Sequence, residues 1–334
     1  MKLSIIISNR NDTSMLVVTI RSCLEALKGL NAPSEIVIAD NSDPKVFQTL
    51  GAIIPRGYLT DGTLKIHRQN FPCLFTAREL AAEKSKGEYI LCVDSHMLIG
   101  HNTIPDLVQF MDNHKDDQTL GFAHAPVSWA HHHERNAKHD RVIRKGELGT
   151  WGARYDTPRT ITWKGMPWIC RREWFLDTDK GLNGYGALAQ HKVSWGGGDM
   201  HIGTKPWLLG FKNWAVPTDP CIHIGPFPKI DTGKDPNHTK VVTPTNVERY
   251  RLYSSSGQFP HTFGFLLSCY VLGGEPMMRR NLDDLKRLFG RYINYDDFWD
   301  KAIELGQDEK QWLDERKVMT FEQFTKDEPW RHCC

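Results

Sequence analysis

Short apolar runs and helix-length amphipathic segments alternate through the first hundred residues. Leu3–Ser8 reads as a buried strand, and Asn9-Arg10-Asn11-Asp12 follows it as a loop. A helical pattern from about Ser14 to Leu27 comes next, with Gly29 as a stop. Glu35–Ala39 is the second strand, ending in Asp40-Asn41-Ser42-Asp43-Pro44, and Leu64–His67 is a short third. Phe75–Lys86 has helical spacing at Ala77, Leu80, Ala81 and Lys84 and is closed by Gly87; Tyr89–Val93 is the fourth strand. Strands separated by helices predict right-handed βαβ units and a mainly parallel sheet. In such sheets ligands bind beyond the carboxyl ends of the strands. Asn9, Asp40, Asn70 and Asp94 all fall at or just after those ends.

The pattern then changes twice. From about His124 to Pro236 the chain is rich in Trp, Gly, His and Pro, and loops of that length in a compact domain usually serve binding. Beyond Asn246 it turns mostly helical, with helical spacing and mixed charge over Arg280–Tyr292 and Asp296–Asp314. The expectation is an α/β domain over residues 1–245 and a helical C-terminal extension over 246–334. There is no internal repeat and no low-complexity tract.

Composition narrows the class without naming it. The 334 residues are 40% hydrophobic and 25% charged, ordinary for a globular protein. A net charge of +2 argues against a strongly electrostatic nucleic-acid binder but leaves room for a local basic patch. Eight scattered cysteines without a Cys-x-x-Cys pair fit a reducing compartment, with Cys92 and Cys269 as buried free thiols. Met1–Ser8 reads as a first strand and not as a signal peptide, and no stretch reaches 18 apolar residues. The expected location is the cytoplasm, with no membrane span.

Three segments carry candidate chemistry. In Glu88-Tyr-Ile-Leu-Cys-Val-Asp94-Ser95-His96 an apolar strand leads to a carboxylate and an imidazole two residues apart, which strand alternation would turn to one side. Such a pair can hold a divalent cation with positions left open for a diphosphate; a solvated Asp-Ser turn is the plain alternative. In Trp195-Gly-Gly-Gly-Asp199-Met-His201 the glycines allow close backbone approach, Trp195 offers a flat face to a sugar or base, and Asp199 opens a helix expected over Met200–Leu209. Asp199 is either a simple N-cap or a general base toward a hydroxyl. In Pro220-Cys-Ile-His223-Ile-Gly225 a single histidine would complete a ligand set if the fold brings it to Asp94 and His96.

Asp40 is either the opener of an Asx-turn or a hydrogen-bond acceptor for a base or ribose; Arg78 is either a solvated helix-face residue or a diphosphate contact. A basic loop, His131 to Lys145, could meet phosphates or simply be solvated. Neither a Gly-x-Gly-x-x-Gly after the first strand nor a Walker-type phosphate loop is present, which counts against a dinucleotide dehydrogenase or a P-loop kinase.

The ordered set Ser-Ile-Ile-Ile-Ser, Ile-Val-Ile-Ala-Asp40-Asn, Ala77-Arg78 and Gly87-Glu-Tyr-Ile-Leu-Cys-Val-Asp94-Ser-His96 resembles GT-A-fold glycosyltransferases of family 2. The Asp94-Ser95-His96 triplet is also similar to that of polypeptide N-acetylgalactosaminyltransferases, and Trp195-Gly-Gly-Gly-Asp199 resembles the Trp-Gly-Gly-Glu-Asp segment of inverting GT-A enzymes. The resemblance covers roughly residues 1 to 230. It implies a metal-dependent transferase with a nucleotide-sugar donor, usually UDP-linked, and Mn²⁺ or Mg²⁺ at the diphosphate. By position, Asp40 would contact the uridine part, with Asn9 and Arg78 as further donor contacts. Asp94 and His96 would be the metal motif, with Asp94 also at the donor, and His223 a third ligand. Trp195 and Gly197 would face the acceptor, and Asp199 would be the base.

Two departures stand out. Gly198 occupies the position where relatives usually carry Glu. In the N-acetylgalactosaminyltransferases the late metal histidine comes a few residues further on, where this chain has Pro226, so His238 is the other candidate. An Asp199 base implies inversion, whereas the N-acetylgalactosaminyltransferase likeness implies retention. The acceptor is a hydroxyl on a glycan or polyol, or on a hydroxymethylated pyrimidine in DNA as for phage-type DNA glycosyltransferases; the basic loop and the Arg279-Arg280, Lys286-Arg287-Arg291 cluster motivate the second. A non-catalytic nucleotide-sugar or carbohydrate-binding protein of the same fold is the competing reading, motivated by Gly198.

Overall fold

The computed structural model describes residues 1–54, 56–129, 140–142, 150–152, 162–163, 166–194, 196–224, 261–289 and 295–327. Elements follow in chain order. The first half contains β1 (Leu3–Asn9), α1 (Thr13–Leu27), β2 (Ser34–Asp40), α2 (Pro44–Ile53), α3 (Arg56–Thr60), β3 (Leu64–Arg68), α4 (Leu74–Lys84), β4 (Tyr89–Asp94), β5 (Met97–Leu98), α5 (Thr103–Asn113), β6 (Leu120–His124) and β7 (Val127–Trp129). Three short strands, β8 (Asp140–Val142), β9 (Thr150–Gly152) and β10 (Thr162–Trp163), form a small antiparallel sheet of their own. Then come β11 (Trp168–Arg171), α6 (Arg172–Leu176), α7 (Ala187–Gln190), α8 (Gly198–Leu208), β12 (Lys212–Ala215) and β13 (Cys221–His223). The last helices among the described residues are α9 (His261–Phe289), α10 (Tyr295–Arg316) and α11 (Phe321–Asp327).

The main sheet has seven strands in the order β12-β6-β11-β4-β1-β2-β3. The pairs β1 with β2, β1 with β4 and β2 with β3 are parallel, as the alternating pattern predicts, and β12, which the pattern did not predict, also pairs parallel with β6. Every residue of β1 is buried, and β2 and β4 are buried except at one end each, which is why they read as near-continuous apolar runs. One strand, β11, runs antiparallel between β4 and β6. The helix beginning near residue 200 starts two residues earlier than its spacing suggests, and the C-terminal helix expected from Arg280 begins at His261. Within α9 the backbone breaks at Gly274 (φ 68°), two residues before Pro276, so two helical segments meet at a kink. Cys92 and Cys269 are buried free thiols, as expected. No helix among the described residues is long and apolar enough to cross a membrane. The expected domain boundary near residue 245 falls outside the described residues.

The C-terminal helices are tied to the sheet domain by a buried ionic contact. Glu309 of α10 accepts from Lys205 Nζ at 2.8 Å and lies 3.0 Å from His201 Nε2, both on α8, and its other oxygen accepts from the Ala187 N–H at 2.7 Å. Lys205 is fully buried and also donates to the Gly184 carbonyl at 2.9 Å. Burial works against the Glu309 charge, but His201 and Lys205 outweigh it and hold the carboxyl at about 2, below its ordinary 4.5. A depressed carboxyl contributes stability that is present above its unfolded value and is lost as pH falls toward the folded one. Glu309→Gln is therefore expected to cost about 3–5 kcal/mol at neutral pH. In denaturant titrations the wild-type protein should lose part of that margin between about pH 4.5 and 2, and the variant should not.

Candidate active site

The site lies at the carboxyl ends of the central strands. Asp94 is the last residue of β4, and Ser95-His96 form a turn leading into β5. Strand alternation is therefore not what aligns Asp94 with His96, because the strand ends at Asp94; the turn does it. Strand β13 pairs antiparallel with β5, setting His223 opposite Met97, and the Ile224 N–H donates to the His96 carbonyl at 2.9 Å. That pairing brings a histidine 127 residues away onto the turn.

The three side chains converge. His96 Nε2 and His223 Nε2 are 3.1 Å apart, and the rings meet edge to face with centroids 4.6 Å apart. His223 Nε2 is 3.6 Å from Asp94 Oδ2. Ligand atoms of Asp94, His96 and His223 all lie within 4.8 Å of one another, and all three residues are partly buried. Two ring nitrogens bound at roughly right angles to one ion at about 2.1 Å would be about 3 Å apart, so the spacing fits a shared cation. One carboxylate and two imidazoles make a mixed oxygen–nitrogen set that leaves coordination positions free.

Arg78 fixes the carboxylate of this set. It lies on α4 and is buried, and it donates from one terminal nitrogen to Asp94 Oδ1 at 2.8 Å and from the other to the Tyr185 hydroxyl at 2.9 Å. Burial disfavours the Asp94 charge, but the hydrogen bond from His223 and the charges of Arg78 and the two histidines hold its carboxyl far below the usual range. Arg78 thus braces Asp94 from inside the domain.

Asp40 and Asn9 sit together at the neighbouring tips. Asn9 Nδ2 donates to Asp40 Oδ2 at 2.6 Å, the Ser42 backbone and hydroxyl donate to the two Asp40 oxygens at 3.0 and 2.9 Å, and Arg68 donates to Oδ1 at 2.9 Å. The Asx-turn and the strand-tip site are thus one arrangement. Asp40 is fully buried among these partners.

Asp199 is the second residue of α8, in the first turn, near enough to Arg78, Cys92 and Tyr185 to act on their ionisation. Gly197, at φ 74°, precedes α8 and backs onto α9: a Cβ there would run into the Gly264 carbonyl. A Cβ at Gly198 would run into the ring of Phe75, a buried residue whose ring centroid is 4.9 Å from that of Tyr185. The glycine at 198 therefore accommodates Phe75. Trp195, His238, Arg291, Cys333, Cys334 and the basic stretch apart from residues 140–142 lie outside the described residues. Arg279 is described, and it is paired with Glu275 at 2.9 Å and set over the Trp299 ring.

Sequence reasoning missed Arg68, Tyr185 and Asp12. Arg68 ends β3, level with Asp40, and its register could have found it. Tyr185 carried no motif. Asp12 lies 2.9 Å, by Oδ2, from His96 Nδ1.

With this geometry in view, comparison with known proteins is informative. The sequence profile described as glycosyl transferase family 2 matches residues 4–159, just under half of the chain and including Asp12, Asp40, Arg78, Asp94 and His96. No curated protein sequence matches. Among solved structures, GalNAc-T7 with UDP, GalNAc and Mn²⁺ superposes with a TM-score of 0.61 at 17% identity, over 99% of this chain and 58% of that one. S. aureus TarS 1–349 gives a TM-score of 0.50 at 12% identity, over 99% of this chain and 88% of that one. The chain thus spans little more than half the length of the GalNAc-T7 chain. The fold is GT-A: a mainly parallel sheet flanked by helices, with helices appended at the C-terminus.

The contact between Gly198 and Phe75 yields a test. Gly198→Glu is expected to destabilise the protein by about 1–3 kcal/mol through overpacking. Adding Phe75→Ala should bring much less than the sum of the two single losses, a non-additivity that a double-mutant cycle of denaturant unfolding would read. Strict additivity would show that Phe75 is not what the glycine accommodates.

Proposed function

We propose that the protein is a metal-dependent glycosyltransferase that moves a sugar from a nucleotide donor, UDP-linked by preference, to an acceptor hydroxyl. The observation that carries the proposal is the convergence of Asp94, His96 and His223 at the tip of β4 in a GT-A sheet. The match of residues 4–159 to the family 2 profile supports the same class, and the GalNAc-T7 structure, which holds UDP and Mn²⁺, supports the donor and metal types. Two imidazoles beside one carboxylate suit Mn²⁺ better than Mg²⁺, which prefers oxygen ligands. Such an ion, held by Asp94, His96 and His223, would neutralise charge developing on a departing diphosphate.

The protein's own groups supply the rest. Arg78 fixes Asp94 by its hydrogen bond to Oδ1, so that the other oxygen faces the imidazoles. Asn9, Asp40 and Arg68 form a rigid polar floor for the nucleoside end of the donor. Asp199, at the head of α8, takes the proton from the acceptor hydroxyl as that oxygen bonds to the anomeric carbon and the bond to the diphosphate breaks. A base on the acceptor side implies inversion at that carbon. The Phe75 ring against Gly198 leaves Asp199 without a neighbouring Glu, so Asp199 serves alone. We hold two acceptor types open: a glycan or polyol, and a hydroxymethylated pyrimidine in DNA. Binding to DNA that weakens steeply with salt selects the second, and no retention at low salt selects the first.

The deciding measurement is thermal shift over a panel of nucleotide sugars with and without Mn²⁺. A donor is expected to raise the melting temperature only with metal, by an amount that grows with its concentration over its dissociation constant. Asp94→Ala should abolish that shift. Asp199→Asn should keep it while lowering transfer about 10²–10⁴-fold. A panel without any metal-dependent shift would overturn the donor and metal reading. Donor binding with neither transfer nor Mn²⁺-dependent donor hydrolysis would favour the non-catalytic binding protein.

A further inference from the structure

We infer that Asp12 is a positioning residue for the metal site: its carboxylate fixes the tautomer and the ring plane of His96, so that Nε2 points into the cluster as a lone-pair donor. The inference deepens the metal reading proposed above and rests on it.

Asp12 stands immediately before α1, where an aspartate ordinarily caps the helix by accepting from the second or third backbone N–H of the first turn. Here its side chain makes no capping hydrogen bond. Oδ2 instead lies 2.9 Å from His96 Nδ1, across 84 residues of sequence. An ionised carboxylate only accepts, so the ring nitrogen facing it carries the hydrogen. The proton of neutral His96 is thereby placed on Nδ1, and Nε2 is left with its lone pair toward the cluster, 3.1 Å from His223 Nε2. A carboxylate behind a ligating imidazole also raises its basicity and restricts its rotation.

The rest of α1 supports the same segment. Thr19 Oγ1 accepts from the Met97 N–H at 2.9 Å, and Ser22 Oγ accepts from the Ile99 N–H at 3.2 Å. Asp12, Thr19 and Ser22 are spaced seven and three residues apart, so the cap and one side of the helix hold the segment His96–Ile99 at three points. Helix α1 is therefore a template for the metal turn, and Asp12 is the part of it that touches a ligand. A merely local role in helix capping would leave His96 untouched, which separates the two roles by experiment.

The test uses the whole chain, stripped of metal. Isothermal titration of Mn²⁺ is expected to show a dissociation constant 10- to 100-fold higher for Asp12→Ala than for the wild type, with Asp12→Asn also weakened. Long-range ¹⁵N–¹H spectra of the metal-free protein should place the His96 proton on Nδ1 in the wild type and redistribute it toward Nε2 in Asp12→Ala. Asp12→Asn, close in shape, serves if the alanine variant does not fold. Wild-type Mn²⁺ affinity in both variants, or an unchanged His96 tautomer, would overturn the inference. If the wild-type protein itself bound no Mn²⁺, the metal reading would fall, and the spectra of the metal-free protein would still decide whether Asp12 sets the tautomer.

Discussion

The pairing of β13 with β5 is the constraint on which the site depends. Each strand is two or three residues long, and neither belongs to the seven-stranded sheet. Yet the register His223 with Met97, reinforced by the Ile224 N–H on the His96 carbonyl, is what turns two distant histidines into one cluster. Strands this short are not stable alone. They are held from both sides: β13 also pairs parallel with β7, and β5 is fastened to α1 through Thr19 and Ser22. The cluster is thus built on borrowed rigidity, from the helix that follows β1 and the strand that follows β6.

Electrostatics then decides how the cluster is set. A carboxylate taken partly out of water loses hydration, and an unpaired one would take up a proton. The hydrogen bond from His223 and the charges of Arg78 and the two histidines prevent this at Asp94, and Arg78 is itself buried, so its own charge needs Asp94 and the Tyr185 hydroxyl. Buried ion pairs return little net stability once desolvation is counted. What this one provides is geometry: with Oδ1 committed to Arg78, Oδ2 is the oxygen nearest His223. The second buried ionic group, Glu309 with Lys205 and His201, secures α8, so the helix that carries Asp199 is anchored by α10 both near its head and in its last turn.

Much of this was legible in the sequence, and the failures have physical causes. Strands β1, β2 and β4 were readable because a parallel strand buried on both faces is apolar nearly throughout. Strands β11, β12 and β13 were not, being three or four residues long in a segment dominated by Trp, Gly and Pro. Helix α2 was hidden by a competing turn signal, since Asp43-Pro44 starts a helix as readily as it closes an Asx-turn. Asp94, His96 and His223 were picked out as candidates by chemistry and spacing, and the structure brings the three together, although alternation along a strand was the wrong reason for the first two. Asp12 was invisible because an aspartate before a helix is already accounted for by capping, and only the structure shows the cap bond unmade.

Gly198 is where sequence and structure meet most closely. Read as a letter, a glycine in place of Glu suggests lost chemistry. In three dimensions the space beside its Cα belongs to Phe75, whose ring packs against Tyr185, whose hydroxyl accepts from the Arg78 that holds Asp94. The glycine at the head of α8 therefore begins a chain of contacts that ends on Asp94. A Glu at 198 would place a second negative charge near Asp199 and displace the ring that backs Tyr185. The glycine is better understood as one solution to packing an aromatic ring behind the arginine brace, with Asp199 as the acidic residue in the first turn of the helix.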